Sequence, residues 1–224
     1  MLETIILLGA PGSGKGTIAE ELTNVTEYIH VSTGDMLREA VKAEHEVGLK
    51  AKKYMDEGEL VPDDVIMEIV RERLDRGPDE AHYMFDGFPR TIEQAQLLDA
   101  VLTRDGRGRV AHVFLLEVPE EVVVDRLEGR RVCRGCGAVY HVRNIPPEKE
   151  GVCDECGGEL YQRKDDDKNT VLNRLDVFRK QAEELINYYD GQGVLRRIDA
   201  LDREKTVQAI LAVLNDSTET HDQD

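Results

Sequence analysis

The sequence predicts a parallel α/β sheet covered by helices on both faces and interrupted by one short cysteine-rich insertion. Three observations carry that expectation. Apolar runs of strand length alternate with amphipathic helical patterns, the signature of a parallel sheet. The first of these runs ends in a glycine-spaced turn of the phosphate-binding kind. Near residue 130 the alternation stops, and turn-rich sequence with four cysteines takes over before a long amphipathic helix resumes.

At 224 residues the chain can bury one sizeable core with room for an insertion. It has no apolar run of about 18 residues or more, so no transmembrane helix and no membrane partner are expected. The N-terminus runs straight into the first strand without a basic leader, so a cytoplasmic location is expected. Against 29 Lys and Arg stand 46 Asp and Glu, a formal net charge of −17. Such a field argues against nucleic acid as a partner. It does not argue against a nucleotide enzyme, whose cations need only converge locally. The excess acid is spread over helix faces and the C-terminal tail, and lysine is the minority of the basic residues. An ordinary acidic solvated surface is one reading; the one favoured here is adaptation to a salty cytoplasm, where net charge maintains solubility.

The expected strands are Thr4–Leu8, Tyr28–Val31, Tyr83–Phe85, Val110–Leu116 and Val194–Ile198. The unbroken apolar run Val113–Leu116 suits a strand covered on both faces. After the first strand, Gly9, Gly14 and Lys15 fit G-x-x-x-x-G-K-[ST] up to its last position, where Gly16 stands and Thr17 follows. Glycines let backbone N–H groups turn inward around phosphate oxygens, the next helix offers its positive end, and Lys15 reaches the outer phosphates. Beyond the second strand, Ser32 or Thr33 caps a helix carrying Arg38. Pro62 and Asp63 start another, whose buried face is Val65, Ile66, Ile69, Val70 and Leu74. The third strand ends in Asp86 at the phosphate-loop edge of a parallel sheet, where a carboxylate can hold Mg2+ directly or through water. Gly87 and Pro89 then shape a turn that presents Arg90, and Thr91 caps a helix carrying Gln94. Taken singly, Asp86 ends a strand and Arg90 is a surface charge; beside a phosphate loop they form a site.

The segments GAPGSGKGT, STGDMLR, GELVPDD and DGFPRT–EQA resemble adenylate kinases in order and spacing, from Leu2 to about Leu214. The resemblance implies a P-loop NTPase-type sheet flanked by helices and the reaction ATP + AMP ⇌ 2 ADP on a Mg2+ complex. It implies that Gly12, Ser13, Gly14, Lys15, Gly16 and Thr17 cradle the ATP phosphates, and that Arg38 and Arg90 clamp the AMP phosphate. Thr33, Glu59, Leu60, Val61 and Gln94, with the turn Gly87, Phe88 and Pro89, resemble the rest of the AMP pocket. Arg126 resembles the residue that stacks on the ATP base, with Val139 and Tyr140 near it. Arg130, Arg163 and Arg174 match arginines that meet substrate phosphates, Arg163 and Arg174 on the AMP side as well. Asp199–Asp202, Asp202 included, occupies the stretch that offers backbone to the ATP adenine, but lacks the family's glycine-lysine pair.

Cys133-x-x-Cys136 and Cys153-x-x-Cys156 lie 16 residues apart, a spacing that fits four thiolates around one structural Zn2+. Four sulfurs leave no open position for catalysis. Disulfides are the competing reading, disfavoured in a cytosolic chain, and iron can also occupy four thiolates. His141 lies between the pairs but is redundant beside a full thiolate set. An insertion this short builds little core, so metal substitutes for burial. By resemblance it is the lid that closes over ATP. The implied division is a core of residues 1–129 and 164–224, a nucleoside-monophosphate-binding segment at 32–61 and a lid at 130–163.

In the long helix after Gln162–Asp166, Val171, Leu175, Phe178, Ala182, Leu185 and Tyr189 mark a buried stripe. Arg174 is offset from it and free to point at the site. Gln181–Leu185 lacks the family's proline, which loses a kink. The tail from Asn215 is expected to fray, and the protein to be a monomer. Two alternatives stay open: a GTP:AMP or other nucleoside monophosphate kinase, and a nucleotide-binding zinc-ribbon module without catalysis.

Overall fold

A computed structural model describes residues 3–78, 81–104, 106 and 108–219. Five strands form one parallel sheet in the order β2-β3-β1-β4-β8. These are β1 (Glu3–Gly9), β2 (Ile29–Ser32), β3 (Tyr83–Asp86), β4 (Arg109–Glu117) and β8 (Leu195–Asp199). Along the chain, the segment between β4 and β8 forms a separate antiparallel sheet, β6-β5-β7, made of β5 (Arg130–Cys133), β6 (Val139–His141) and β7 (Leu160–Tyr161). The helices are α1 (Lys15–Val25), α2 (Thr33–Lys42), α3 (Glu46–Glu57), α4 (Asp63–Asp75), α5 (Ile92–Arg104), α6 (Glu120–Glu128), α7 (Lys168–Gly191) and α8 (Arg203–Glu219), with one 3-10 turn at Lys164–Asp166.

Alternation along the strands builds two cores. Ile6 and Leu8 of β1, Tyr83 and Phe85 of β3, and Val113 and Leu115 of β4 face the layer of α2, α4, α5 and α7. Their neighbours Ile5, Leu7, Met84, Phe114 and Leu116 face α1 and α8. Because side chains of successive strand residues point to opposite faces, each strand reads as continuously apolar. Parallel register brings the strand ends together: Leu7 pairs with Asp86, Gly9 with Leu116 and Ser32 with Asp86. The turns leaving that edge carry Gly12–Gly14 and Arg90, as expected for an open parallel sheet, while Arg38, Arg126, Arg130 and Arg174 come from α2, α6, β5 and α7.

Local chemistry sets the helix starts. Ser32 Oγ accepts the Asp35 N–H at 3.4 Å to cap α2, and Asp167 accepts the N–H groups of Asn169 and Thr170 at 3.0 and 3.3 Å to cap α7. Pro62 precedes α4, whose first turn carries Asp63 and Asp64. Two expectations need correction. Phe178 is only half-buried and faces a cavity, whereas Val171, Leu175, Ala182, Leu185 and Tyr189 are buried. The expected fraying from Asn215 is not seen, since α8 continues to Glu219. Its buried Ile210 and Leu214 dock on the α1 side of the sheet, and adding residues to a formed helix costs little. Residues 220–224 lie outside those described.

Candidate active site

The phosphate loop takes its shape from Gly12 and Gly14, whose φ angles of +82° and +101° belong to the left-handed region that favours glycine. Gly12 also lies against α6, since an added Cβ would meet Leu127 Cγ at 2.8 Å. Lys15 folds back across the loop, donating to Gly9 O at 2.8 Å and Ala10 O at 2.9 Å. Burial lowers its ammonium from 10.5 to about 8; Asp86 opposes the shift, and Arg90, Arg174 and Arg130 add to it.

Asp86 ends β3 beside Lys15, nearly buried, and an added Cβ on Gly16 would come within 3.6 Å of its Oδ2. His30 of β2 sets its Nε2 3.6 Å from the same oxygen. The turn that follows aims Arg90: its Nε donates to Gly87 O at 2.7 Å and its backbone N–H to Gln94 Oε1 at 2.8 Å. Gln94 Nε2 donates to Asp63 Oδ1 at 2.7 Å, so one buried amide ties that turn to α4. Desolvation in the cavity, with Arg174 next, lowers Arg90 to about 10.

Carboxylates hold Arg38, Arg163, Arg130 and Arg174. Arg38 meets Asp35 at 2.5 Å, and Arg163 reaches the same Oδ1 at 3.4 Å. Burial alone would raise Asp35, yet Arg38, Ser32 and Arg163 bring it down to about 2. Arg130 binds fully buried Asp166 through two bonds of 2.8 and 2.5 Å. Arg174 binds Asp165 at 2.8 Å and lies 3.7 Å from Asp166. Arg126 donates to Ser13 O at 3.1 Å and to Ala200 O and Leu201 O at 3.1 and 3.2 Å, joining the phosphate loop to the Asp199–Asp202 stretch.

One cavity of about 520 Å³ is lined by Gly12–Thr17, Arg38, Leu60, Asp86, Gly87, Pro89, Arg90, Arg126, Arg130, Val139, Tyr140, Arg163 and Arg174. Thr33, Glu59, Val61, Phe88, Gln94 and Asp202 do not line it. Thr33 is buried and donates to Gly87 O at 3.3 Å; Phe88 packs on Phe85. Glu59 accepts from Asn173 at 3.0 Å, Val61 packs on the core, and Asp202 Oδ1 accepts the Lys205 N–H at 3.0 Å.

In the insertion the four cysteine sulfurs lie within 4.8 Å of one another, with Cys133–Cys156 at 3.4 Å and Cys136–Cys153 at 3.5 Å. A disulfide requires about 2 Å, whereas tetrahedral metal–sulfur bonds of about 2.3 Å give sulfur–sulfur edges of about 3.8 Å. Glycines make room for the cage: an added Cβ on Gly158 would sit 2.8 Å from Cys133 Sγ. The donor set therefore fits a tetrahedral metal. His141 is elsewhere, its Nε2 on Asp125 O at 3.1 Å and its Nδ1 accepting the N–H groups of Arg143 and Asn144 at 3.1 Å each.

The family model for adenylate kinase matches residues 7–194. The chain belongs to the adenylate kinase family. The adenylate kinase of Caldicellulosiruptor bescii is 53% identical over 191 residues, covering 85% of this chain and 88% of that protein. That of Carboxydothermus hydrogenoformans is 47% identical over 213 residues, covering 95% and 98%. That of Bacillus licheniformis is 48% identical over 195 residues, covering 87% and 89%. As an adenylate kinase, the chain is a nucleoside monophosphate kinase, and its chemistry is phosphoryl transfer dependent on AMP. Sequence reasoning missed the carboxylates of Asp35, Asp165 and Asp166 and the imidazole of His30. The acids sat in plain view beside recognised arginines, and the excess of acidic residues hid them.

Proposed function

We propose that this adenylate kinase transfers the γ-phosphoryl group of ATP reversibly to AMP, with ATP on the phosphate loop and AMP between Arg38 and Arg90. The observation that carries the reading is one cavity in which Lys15, Arg38, Arg90, Arg130, Arg163 and Arg174 all meet. An AMP phosphate oxygen is the nucleophile. It is already ionised at neutral pH, so no general base is required. It attacks the γ-phosphorus, the bond to the β-phosphate oxygen breaks, and two ADP result. Catalysis then rests on positioning and on positive charge around the transferring group.

Lys15, Arg90, Arg130, Arg163 and Arg174 supply that charge. Asp35, Asp165 and Asp166 hold four of the cavity's arginines in place before substrate arrives, so little reorganisation is left for the reaction. Thr33, Gln94 and Leu60 support the AMP side, and Arg126 with the Ala200–Asp202 backbone supports the donor base. Mg2+, when bound, neutralises phosphate charge; Asp86 is the residue that would hold it, through water.

Cys133, Cys136, Cys153 and Cys156 hold a structural Zn2+ in a lid at 130–163. The core is 1–129 and 164–224, and 32–61 closes over AMP. Among the described residues no helix is long and apolar enough to cross a membrane, and a cytoplasmic monomer is the state we assign.

The test is ADP formation from Mg·ATP and AMP over a panel of donors and acceptors, with elemental analysis of the purified protein. Nucleotide binding without turnover would overturn the enzyme reading, a preference for GTP would move the donor assignment, and iron in place of zinc would correct the metal.

A further inference from the structure

We propose that Tyr140 is a positioning residue for the lid metal, its hydroxyl holding the Cys153 sulfur from outside the coordination sphere. The proposal rests on the reading of the cysteine cluster as a metal site.

The phenol oxygen accepts the Asp154 N–H at 2.9 Å and lies 3.5 Å from Cys153 Sγ. With one lone pair engaged by Asp154, the hydroxyl proton is left to point at the sulfur. Among the described residues, no other side-chain O–H or N–H donor reaches a cysteine sulfur; Cys133 is served by the backbone N–H of Gly135 at 3.3 Å. Tyr140 is buried with Cys133, Cys153 and Leu160 in the small lid core.

The same residue lies on β6, pairs with Arg131 of β5 and lines the nucleotide cavity. One side chain therefore joins the second cysteine pair to the strand facing the substrate. Outer partners of metal ligands typically change metal affinity by about 10–100-fold.

The experiment uses the full chain loaded with Zn2+, or with Co2+ as a coloured probe, in unaltered form and as Tyr140→Phe and Tyr161→Phe. Phenylalanine keeps the ring and removes only the hydroxyl. Tyr161 packs against Arg134 instead, so its variant controls for loss of a lid tyrosine. In Tyr140→Phe the sulfur loses a hydrogen bond and becomes a stronger electron donor. The thiolate-to-cobalt charge-transfer band should move to lower energy, and Zn2+ should pass to a chelator about 10–100-fold faster; Tyr161→Phe should show neither change. An unshifted band and an unchanged release rate in Tyr140→Phe would overturn the role of Tyr140. Absence of any thiolate–cobalt band in the unaltered protein would overturn the metal reading, and the proposal with it.

Discussion

Arg163, at the end of the cysteine-rich segment, and Asp35, in the first turn of α2, meet at 3.4 Å although 128 residues separate them in sequence. Arg38 shares the same oxygen, so one carboxylate links the two segments expected to enclose substrate. Half of the Asp35 side chain is exposed, and pairs of that kind contribute less than about 1 kcal/mol to stability. Asp35→Asn should therefore lower Tm by no more than about 4 °C while speeding amide exchange around Arg163 and at the start of α2. Unchanged exchange there would mean that the contact does not couple the two segments.

Arg90 touches the rest of the protein mainly through Gly87 O and Gln94. Arg90→Ala should lower kcat/KM for AMP by about 100-fold or more, the loss typical of one charge-stabilising donor. Its melting curve should stay close to that of the unaltered protein. Full turnover would remove Arg90 from the acceptor site.

Lys15 is charged in the substrate-free site only below about pH 8. Triphosphate affinity should be flat below that pH and fall as pH rises through it, because binding must then restore a proton to the amine. Titration calorimetry across this range, with Lys15→Arg as the variant that stays charged, separates this from ionisation of the ligand. The sign for folding is the reverse. Between about pH 8 and 10.5 the unfolded chain keeps a proton that the native state releases, so this residue makes stability rise with pH.

Gly129 has no room for a side chain: an added Cβ would lie 2.1 Å from His141 Nε2. Gly129→Ala should push the imidazole off Asp125 O and make the segment after residue 130 more susceptible to proteolysis. Burial first, then the charges of Arg131 and Arg126, hold His141 below its usual 6.5. A form in which the ring is released binds the proton more readily, so attachment should weaken as pH falls below 6.5. His141→Gln should flatten that dependence, and a pH dependence that persisted in it would assign the effect to another group.

A net charge of −17 opposes compaction at low ionic strength. Raising KCl from about 0.1 M to about 1 M shortens the screening length from about 10 Å to about 3 Å, and Tm should rise across that range and beyond. A Tm that stayed constant or fell would sink the salt-adaptation reading.

The phosphate loop was legible because its glycines, its lysine and the strand before it are contiguous, and local sequence alone dictates the turn. The cysteine cage was legible because two short spacings constrain four sulfurs at once. The arginines could be named, but not their partners: Arg130 finds Asp166 across 36 residues, and no local pattern says which of many acids it will meet. His30 was invisible for the same reason, since its nearness to Asp86 comes from the pairing of β2 with β3. The end of α8 was misjudged because its last turns are polar, while its place is set by Ile210 and Leu214 further back.

Asp166 is fully buried and grips Arg130, the first residue of the small sheet, from a position just beyond that sheet's last strand. The two ends of the inserted segment are thus clasped where they leave the body, as the neck of a pouch is drawn shut by its cord. Whatever lies between them inherits a fixed pair of attachment points. A replacement of different length, with or without cysteines, has to match only that neck, so this part of the protein is the natural place for lineages, or engineers, to exchange one cassette for another.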